Sequence, residues 1–374
     1  MLRSRLTMFS ILFVLHLLVG ASLIPYLPLE LPGRLLAWSL LAASCALLPL
    51  GFRASGLRWR WLGWSGLMLM GIFSSLAVFS LLRALVVAVL VLIGHDPAGF
   101  AEHSAEAVLL GVALVTLIGL FNARRTAAVR DVSIAVPNLP AGLEGFSIVQ
   151  LSDIHVGPTI RRGYIEAMVK RANGLKPDLI AITGDLVDGS VAQLREHIAP
   201  LAELRARHGT FVVTGNHEYY AGAPAWIAEL RRLGLTVLLN EHVLIRQNDA
   251  ELLLAGIADY SAGMYEPSHR SDPLAALEGA PEGVVRLLLA HQPRSAPAAL
   301  DAGFDLQLSG HTHGGQFWPW MHFVRLQQPW VAGLHRLGTL QVYISRGTGY
   351  WGPPLRFGAP SEITRISLTA AGGR

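Results

Sequence analysis

The chain has 374 residues, 52% of them hydrophobic and only 15% charged, and its mean hydropathy of +0.43 excludes a protein soluble throughout. A single core seldom grows past about 250–300 residues, so the length asks for one large domain and a second region. The lone cysteine, Cys45, excludes a disulfide framework or a cysteine-rich metal site within one chain. The net charge of +4 (pI near 9.4) comes without a basic run, an RNA-binding signature or a helix-turn-helix pattern, so no nucleic-acid partner is expected.

The hydrophobicity is concentrated ahead of Arg124, in apolar stretches over residues 6–27, 35–52, 62–94 and 105–121. Three of them approach the ~20 residues that cross a bilayer as helix, and four spans is the simplest count. The third is too long for one untilted helix, and Arg83 interrupts it. That predicts strong tilt or extension past the hydrocarbon, with Arg83 snorkelling to an interface. Arg3 and Arg5 precede the first stretch, Arg53, Arg58 and Arg60 separate the second from the third, and Arg124, Arg125 and Arg130 follow the fourth. The opposite loops carry Glu30 with Arg34, and Asp96 with Glu102. The positive-inside rule then places the N-terminus and the C-terminal domain in the cytoplasm, in a multi-pass protein of the inner (cytoplasmic) membrane. An alternative takes residues 3–23 as a cleaved signal peptide, with Gly20-Ala21-Ser22 supplying small residues, and leaves three spans. The predicted division is a transmembrane region of about four helices over residues 1–125 and a second domain over 126–374.

From about Ala127 the pattern changes to short runs of Val, Ile and Leu between turn residues. Strands are predicted over 146–151, 179–182, 210–213, 236–239, 252–257, 284–290, 306–308, 340–344 and 363–368, and helices over 165–173, 193–205, 225–233 and 296–302. The early strands alternate with helices, as parallel βαβ units do, while the later ones follow each other closely. Two packed sheets flanked by helices fit both halves.

Oxygen and imidazole donors fall at the ends of these runs: Asp153-Ile154-His155, Gly184-Asp185 with Asp188, Gly215-Asn216-His217-Glu218, His291, and Gly310-His311-Thr312-His313. Ligands in open α/β sheets bind beyond the carboxyl ends of strands, which is where these segments lie. Singly, most have a structural reading: Asp153-Ile154-His155 as a solvated loop, Gly184 supplying positive φ with Asp185 capping a following helix, and Gly215 to Glu218 as a turn, whereas two imidazoles at His311 and His313 flanked by glycines are costly as decoration. Together they supply the mixture expected of a site for two hard-to-borderline divalent metals.

With these motifs the chain resembles the calcineurin-like metallophosphoesterase superfamily over roughly residues 130–370. The Gly-His-Thr-His-Gly-Gly-Gln form of residues 310–316 is similar to its membrane-associated bacterial branch. The resemblance implies a four-layer α/β/β/α sandwich. It further implies that Asp153, His155 and His313 bind one metal, that Asn216, His291 and His311 bind a second, and that Asp185 bridges both. A metal-bridging hydroxide would attack phosphorus in such a site, and His217 would stabilise or protonate the leaving alkoxide; its alternative is a neighbour of the ligands with no proton-transfer role. Asp188 and Glu218 are expected to support the ligands or cap helices rather than bind metal. Mn²⁺ is the first expectation for the metals, with Fe or Zn²⁺ next.

The aromatic runs 317–323 and 349–354 have two readings, ordinary packing or an amphipathic rim at a lipid interface. The second favours a lipid-linked phosphoester, monoester or diester, as substrate of a membrane-anchored hydrolase. The alternatives are a nucleotide or phosphoprotein phosphatase merely tethered to the membrane and a non-catalytic membrane scaffold or sensor. The complete set of donors argues against the last. Oligomeric state is not legible.

Overall fold

The computed structural model describes residues 2–54 and 60–371. Arg58 lies outside them, and the side chains of Arg3, Arg5, Arg53 and Arg60, on which the orientation reading leans, lie outside the described side chains. The chain divides into two compact units, Met1–Phe121 with Gly352–Leu355, and Asn122–Trp351 with Arg356–Arg374.

The first unit is built from α1 (Leu2–Leu23), α2 (Leu31–Ala54), α3 (Arg60–Leu92) and α4 (Ala98–Arg124). All four are long and apolar enough to cross a membrane. Val19, Leu23, Phe73, Ala105, Val108 and Val112 pack inside the unit. Large apolar side chains also point outward, with Leu36, Leu110 and Leu117 61%, 72% and 67% exposed, as a lipid-facing surface requires. Gly51 and Gly66 let α2 and α3 approach closely, since a Cβ on either would lie 2.4 Å from the other's Cα. The third apolar stretch is one continuous helix of 33 residues. Arg83 does not reach out of the unit: it is 6% exposed and donates to the carbonyls of Ser22 and Ala101, both at 2.6 Å, and to Ser104 Oγ at 3.0 Å. Its guanidinium lies 4.6 Å over the Tyr26 ring. Carbonyls near the end of α1 and the start of α4 give the cation partners inside, so snorkelling is unnecessary.

The second unit holds two six-stranded sheets. In chain order its elements are β1 (Ala128–Val136), β2 (Ser147–Leu151), α5 (Arg162–Gly174), β3 (Leu179–Thr183), α6 (Val191–Ile198), β4 (Thr210–Val213), α7 (Asn216–Ala221), α8 (Ala223–Arg232) and β5 (Thr236–Val237). There follow β6 (Glu241–Gln247), β7 (Ala250–Gly256), β8 (Val285–Leu289), α9 (Ala296–Asp301), β9 (Leu306–Ser309), α10 (Met321–Val324), β10 (Gly333–Leu337), β11 (Leu340–Ile344) and β12 (Glu362–Ala370). The strand orders are β1-β12-β2-β3-β4-β5 and β10-β11-β9-β8-β7-β6. Strands β2 to β5 run parallel in the first sheet, and β7, β8, β9 and β11 in the second.

The two-residue side-chain period of a strand makes the layers. Leu179 and Ala181 of β3 meet Leu287 and Leu289 of β8 in the core between the sheets. Ile180 and Ile182 turn the other way, onto Ile165, Met168, Leu194 and Trp226 of the helical layer. Leu288 and Ala290 pack outward against Ala296, Ala299 and Phe304. This is the expected α/β/β/α arrangement. One helix is shorter than its pattern: α6 stops at Ile198 and gives way to a 3-10 turn over Ala199–Glu203, because Pro200 has no N–H to continue the α ladder.

Candidate metal centre

The parallel strands end together, and the loops that leave them carry the donors. Ser152 to His155 follow β2, Gly184-Asp185 follow β3, Asn216 opens α7 after β4, His291 follows β8, and His311 and His313 follow β9. Backbone hydrogen bonds zip the first two loops side by side, from Asp153 N–H to the Gly184 carbonyl (3.0 Å) and from His155 N–H to that of Asp185 (3.1 Å).

Five of the donor residues have left-handed backbone: Asp153 (φ 52°), His155 (54°), Asp185 (53°), His311 (71°) and His313 (52°). Each such conformation costs a non-glycine residue about 1–3 kcal/mol and persists only where its surroundings over-determine it. Glycines make room for this crowding. A Cβ on Gly215 would lie 2.1 Å from Asp185 Oδ1, and one on Gly310 would lie 2.2 Å from Asp153 Oδ2.

The structure brings together the carboxylate and imidazole donors singled out from the sequence. Donor atoms of Asp153, His155 and His313 lie within 4.8 Å of one another, as do those of Asp185, His291 and His311, and those of His155, Asp185 and His217. Asp185 Oδ2 stands between the groups, 3.7 Å from His155 Nε2 and 3.2 Å from His291 Nε2. Asn216 Oδ1 is buried without a hydrogen-bond partner, an orphaned acceptor of the sort a hard cation satisfies.

Ring orientations test the fit further. His291 donates through Nδ1 to the Thr183 carbonyl (2.7 Å), and His155 donates through Nδ1 to Asp188 Oδ1 (2.8 Å), so both turn Nε2 toward the centre. Imidazole nitrogens face each other at 3.0 Å (His155 Nε2 to His313 Nε2) and 3.2 Å (His311 Nδ1 to His291 Nε2), separations that need a proton or a cation between them. His313 fits least well. Arg356 Nη2 donates to its Nδ1 at 3.1 Å, so a cation at Nε2 would require that ring to change tautomer and surrender the bond.

Two carboxylates organise the donor loops. Glu218 Oε2 accepts the N–H of Gly215 (2.6 Å) and of Asp185 (3.0 Å) and Oε1 that of Leu186 (2.7 Å), tying two ligand loops to α7. Asp188 Oδ1 accepts from His155 and also from His217 Nδ1, at 2.7 Å. Burial pushes the Asp188 carboxyl up, but His155 and its hydrogen bonds win and hold it near 2. Burial likewise pushes His217 down, and the charges of Asp185 and Asp188 reverse this to about 9.

Arg356 and the rings around His217 were not foreseen as parts of the site. Arg356 is fully buried and donates to the carbonyls of His313, Arg346 and Gly349, bracing the last loop; a lone arginine after Leu355 carries no motif that would reveal it. Tyr220 and Trp351 lie 5.1 and 5.8 Å from the His217 ring, and Tyr265 lies 5.4 Å from Tyr220. Trp351 belongs to one of the aromatic runs noted in the sequence. In the same run Tyr350 is buried, while in the other Trp320 and Phe323 pair at 5.7 Å and remain exposed.

Residues 146–315 match the calcineurin-like phosphoesterase family. The chain is similar to a "transmembrane protein with metallophosphoesterase domain" of Bos taurus, 42% identical over 282 residues that make up 72% of this chain and 63% of that protein. It is also similar to an uncharacterized metallophosphoesterase of Campylobacter jejuni, 36% identical over 70% of this chain and 68% of the other, and to one of Aquifex aeolicus, 34% identical over 69% and 99%. The chain thus spans just under two thirds of the bovine relative's length.

Proposed function

The chain belongs to the calcineurin-like metallophosphoesterase family, and from that premise and the donor geometry we propose that it is a membrane-anchored hydrolase of phosphoester bonds working with two divalent metals. In this reading residues 1–125 anchor a catalytic domain of residues 126–374 at the inner membrane, on its cytoplasmic side. Asp153, His155 and His313 would hold one metal, Asn216, His291 and His311 the other, with Asp185 shared between them. The observation that carries it is the position of Asp185 Oδ2 between His155 and His291, within reach of both donor groups. A pair of such metals, Mn²⁺ foremost, would supply an activated water and neutralise charge on the phosphoryl oxygens.

The remaining steps belong to the protein. His155 and His291 arrive with Nδ1 spent, so their Nε2 lone pairs are directed before any cation binds. Glu218 fixes the spacing of the Asp185 and Asn216 loops by accepting from both. His217, fixed by Asp188, donates a proton to the leaving oxygen. The exposed rings of Tyr220, Tyr265 and Trp351 beside it favour a leaving group with an apolar body, and only residues 125–127 separate α4 from β1, so a lipid-linked phosphoester is the substrate class we favour.

The full chain in detergent, stripped of metal and resupplied with Mn²⁺, should hydrolyse p-nitrophenyl phosphate or its bis ester, and Asn216→Ala should abolish turnover. Unchanged turnover in that variant would sink the metal mechanism. A phosphatase-reporter fusion after Arg374 that is active outside the cell would overturn the cytoplasmic placement.

A further inference from the structure

Three arginines stand near the ligand loops of the α/β unit, and two have committed their donors. Arg356 serves backbone carbonyls and His313, and Arg346 Nη1 reaches Glu362 Oε2 at 3.3 Å. Arg294 is different. It lies three positions beyond His291, and its guanidinium sits 4.2 Å over the centre of the Tyr260 ring. Its Nε is buried without a hydrogen-bond partner, and no carboxylate among the described residues pairs with it.

The backbone beneath this side chain is tightly fixed. Arg294 N–H donates to Gln328 Oε1 (3.2 Å), Gln328 Nε2 donates to Gln292 Oε1 (3.2 Å), and Gln292 Nε2 donates to both oxygens of the buried Asp259 carboxylate (3.1 and 2.8 Å). Asp259 also accepts from the N–H and hydroxyl of Ser261. Tyr260 follows β7 and Arg294 follows β8, adjacent parallel strands whose loops open at the end that carries His291. The charge is felt at His311. Burial and His291 push the His311 imidazole down to about 3, and Arg294 adds to that push.

A guanidinium stacked on a ring has its plane set in advance and presents a fork that matches two oxygens of a phosphoryl group. No acid competes for this one. We propose that Arg294, oriented by Tyr260, is a substrate-binding residue that takes a non-bridging phosphoryl oxygen and biases the site toward dianionic phosphomonoesters over monoanionic phosphodiesters. A monoester offers one more unsubstituted oxygen and one more negative charge at neutral pH, so a fixed cation at the rim gains more from it. This rests on the phosphoesterase reading above and sharpens it to a substrate class.

The test uses the Mn²⁺-loaded full chain in detergent. Arg294→Gln should raise KM for p-nitrophenyl phosphate about 10- to 100-fold, the worth of one hydrogen bond to a charged group, with kcat changed far less. KM for bis-p-nitrophenyl phosphate should move by much less, and the inhibition constant for inorganic phosphate should rise with the monoester KM. Arg294→Lys should recover part of the loss, and Tyr260→Leu should give a weaker copy of it. Equal effects on monoester and diester, or unchanged inhibition by phosphate, would overturn the assignment. If the wild-type chain hydrolyses neither ester, the phosphoesterase reading falls, and calorimetric titration with inorganic phosphate still judges Arg294: equal affinity in wild type and Arg294→Gln would remove its role.

Discussion

The helical unit and the strand-end loops both bury polar groups, and they treat them in opposite ways. Among the helices the buried guanidinium of Arg83 has two carbonyls, a hydroxyl and a ring around it, and the unpaired buried atoms among the described residues are hydroxyls, those of Ser75, Ser80 and Thr116. At the strand ends an amide oxygen of Asn216 is orphaned, histidines face each other nitrogen to nitrogen, and five residues are held in left-handed backbone around them. A satisfied buried charge holds structure together, whereas unsatisfied lone pairs that converge on one point have been held for a ligand. Burial alone does not separate the two cases; the count of unspent donors and acceptors does.

If that contrast is sound, the largest effect comes from removing the acceptor shared by the two donor groups. Asp185→Asn should lower kcat/KM by at least about 10³-fold, as loss of one member of a unit acting together does. The α/β unit should nevertheless stay folded, since the amide keeps the shape of the side chain and an oxygen to accept from the His217 N–H. Mn²⁺ at about 100 times its Kd should stabilise the wild-type unit by ~2.7 kcal/mol, and the variant should lose most of that gain. Thermal unfolding with and without Mn²⁺ measures both, and an undiminished metal response in Asp185→Asn would break the comparison.

Next comes the proposed proton donor. His217→Ala should cost about 10²-fold on an alkyl phosphoester, whose leaving group needs a proton, and little on a p-nitrophenyl ester, whose leaving group does not. Asp188→Asn should show the same dependence on leaving group in milder form, because it disturbs His217 and His155 together. Kinetics on the two substrates decide this. A uniform loss on both would reduce His217 to packing.

These expectations were legible in the sequence to an uneven degree. The donors could be read because each sits where an apolar run stops, and such runs are strands whose two faces are both buried, as the fully buried β3 and β4 show. The strands that escaped notice, β1, β6 and β10, are sheet edges whose residues alternate in exposure and include many polar ones, so no apolar run marks them. His217 could be placed beside the ligands, but its bond to Asp188 joins residues 29 positions apart and appears only once α7 folds back over the β3 loop. Glu218 looked like a cap, which it is; that it caps α7 and at the same time grips the Asp185 loop needed coordinates. Arg294 and Arg356 illustrate the limit. Neither has a motif, and only the count of their partners tells the braced arginine from the one with donors to spare.

Arg83 gives the smallest and most discriminating effect. An ionisable residue on a membrane-spanning helix is by default a candidate for function. Here the geometry assigns it to structure: three hydrogen bonds and a ring join α3 to the α1 end at Ser22, to Tyr26, and to Ala101 and Ser104 of α4. Hydrogen bonds between membrane helices contribute on average only ~0.6 kcal/mol each, so Arg83→Met, which keeps the apolar stem, should destabilise the helical unit by about 1–2 kcal/mol. The expected signature is an earlier loss of helical signal in detergent on heating, with kcat and KM for p-nitrophenyl phosphate unchanged. A variant that unfolds as the wild type does but loses turnover would place Arg83 with the unspent groups of the metal centre, and the distinction between satisfied and converging charges would no longer separate structure from chemistry in this protein.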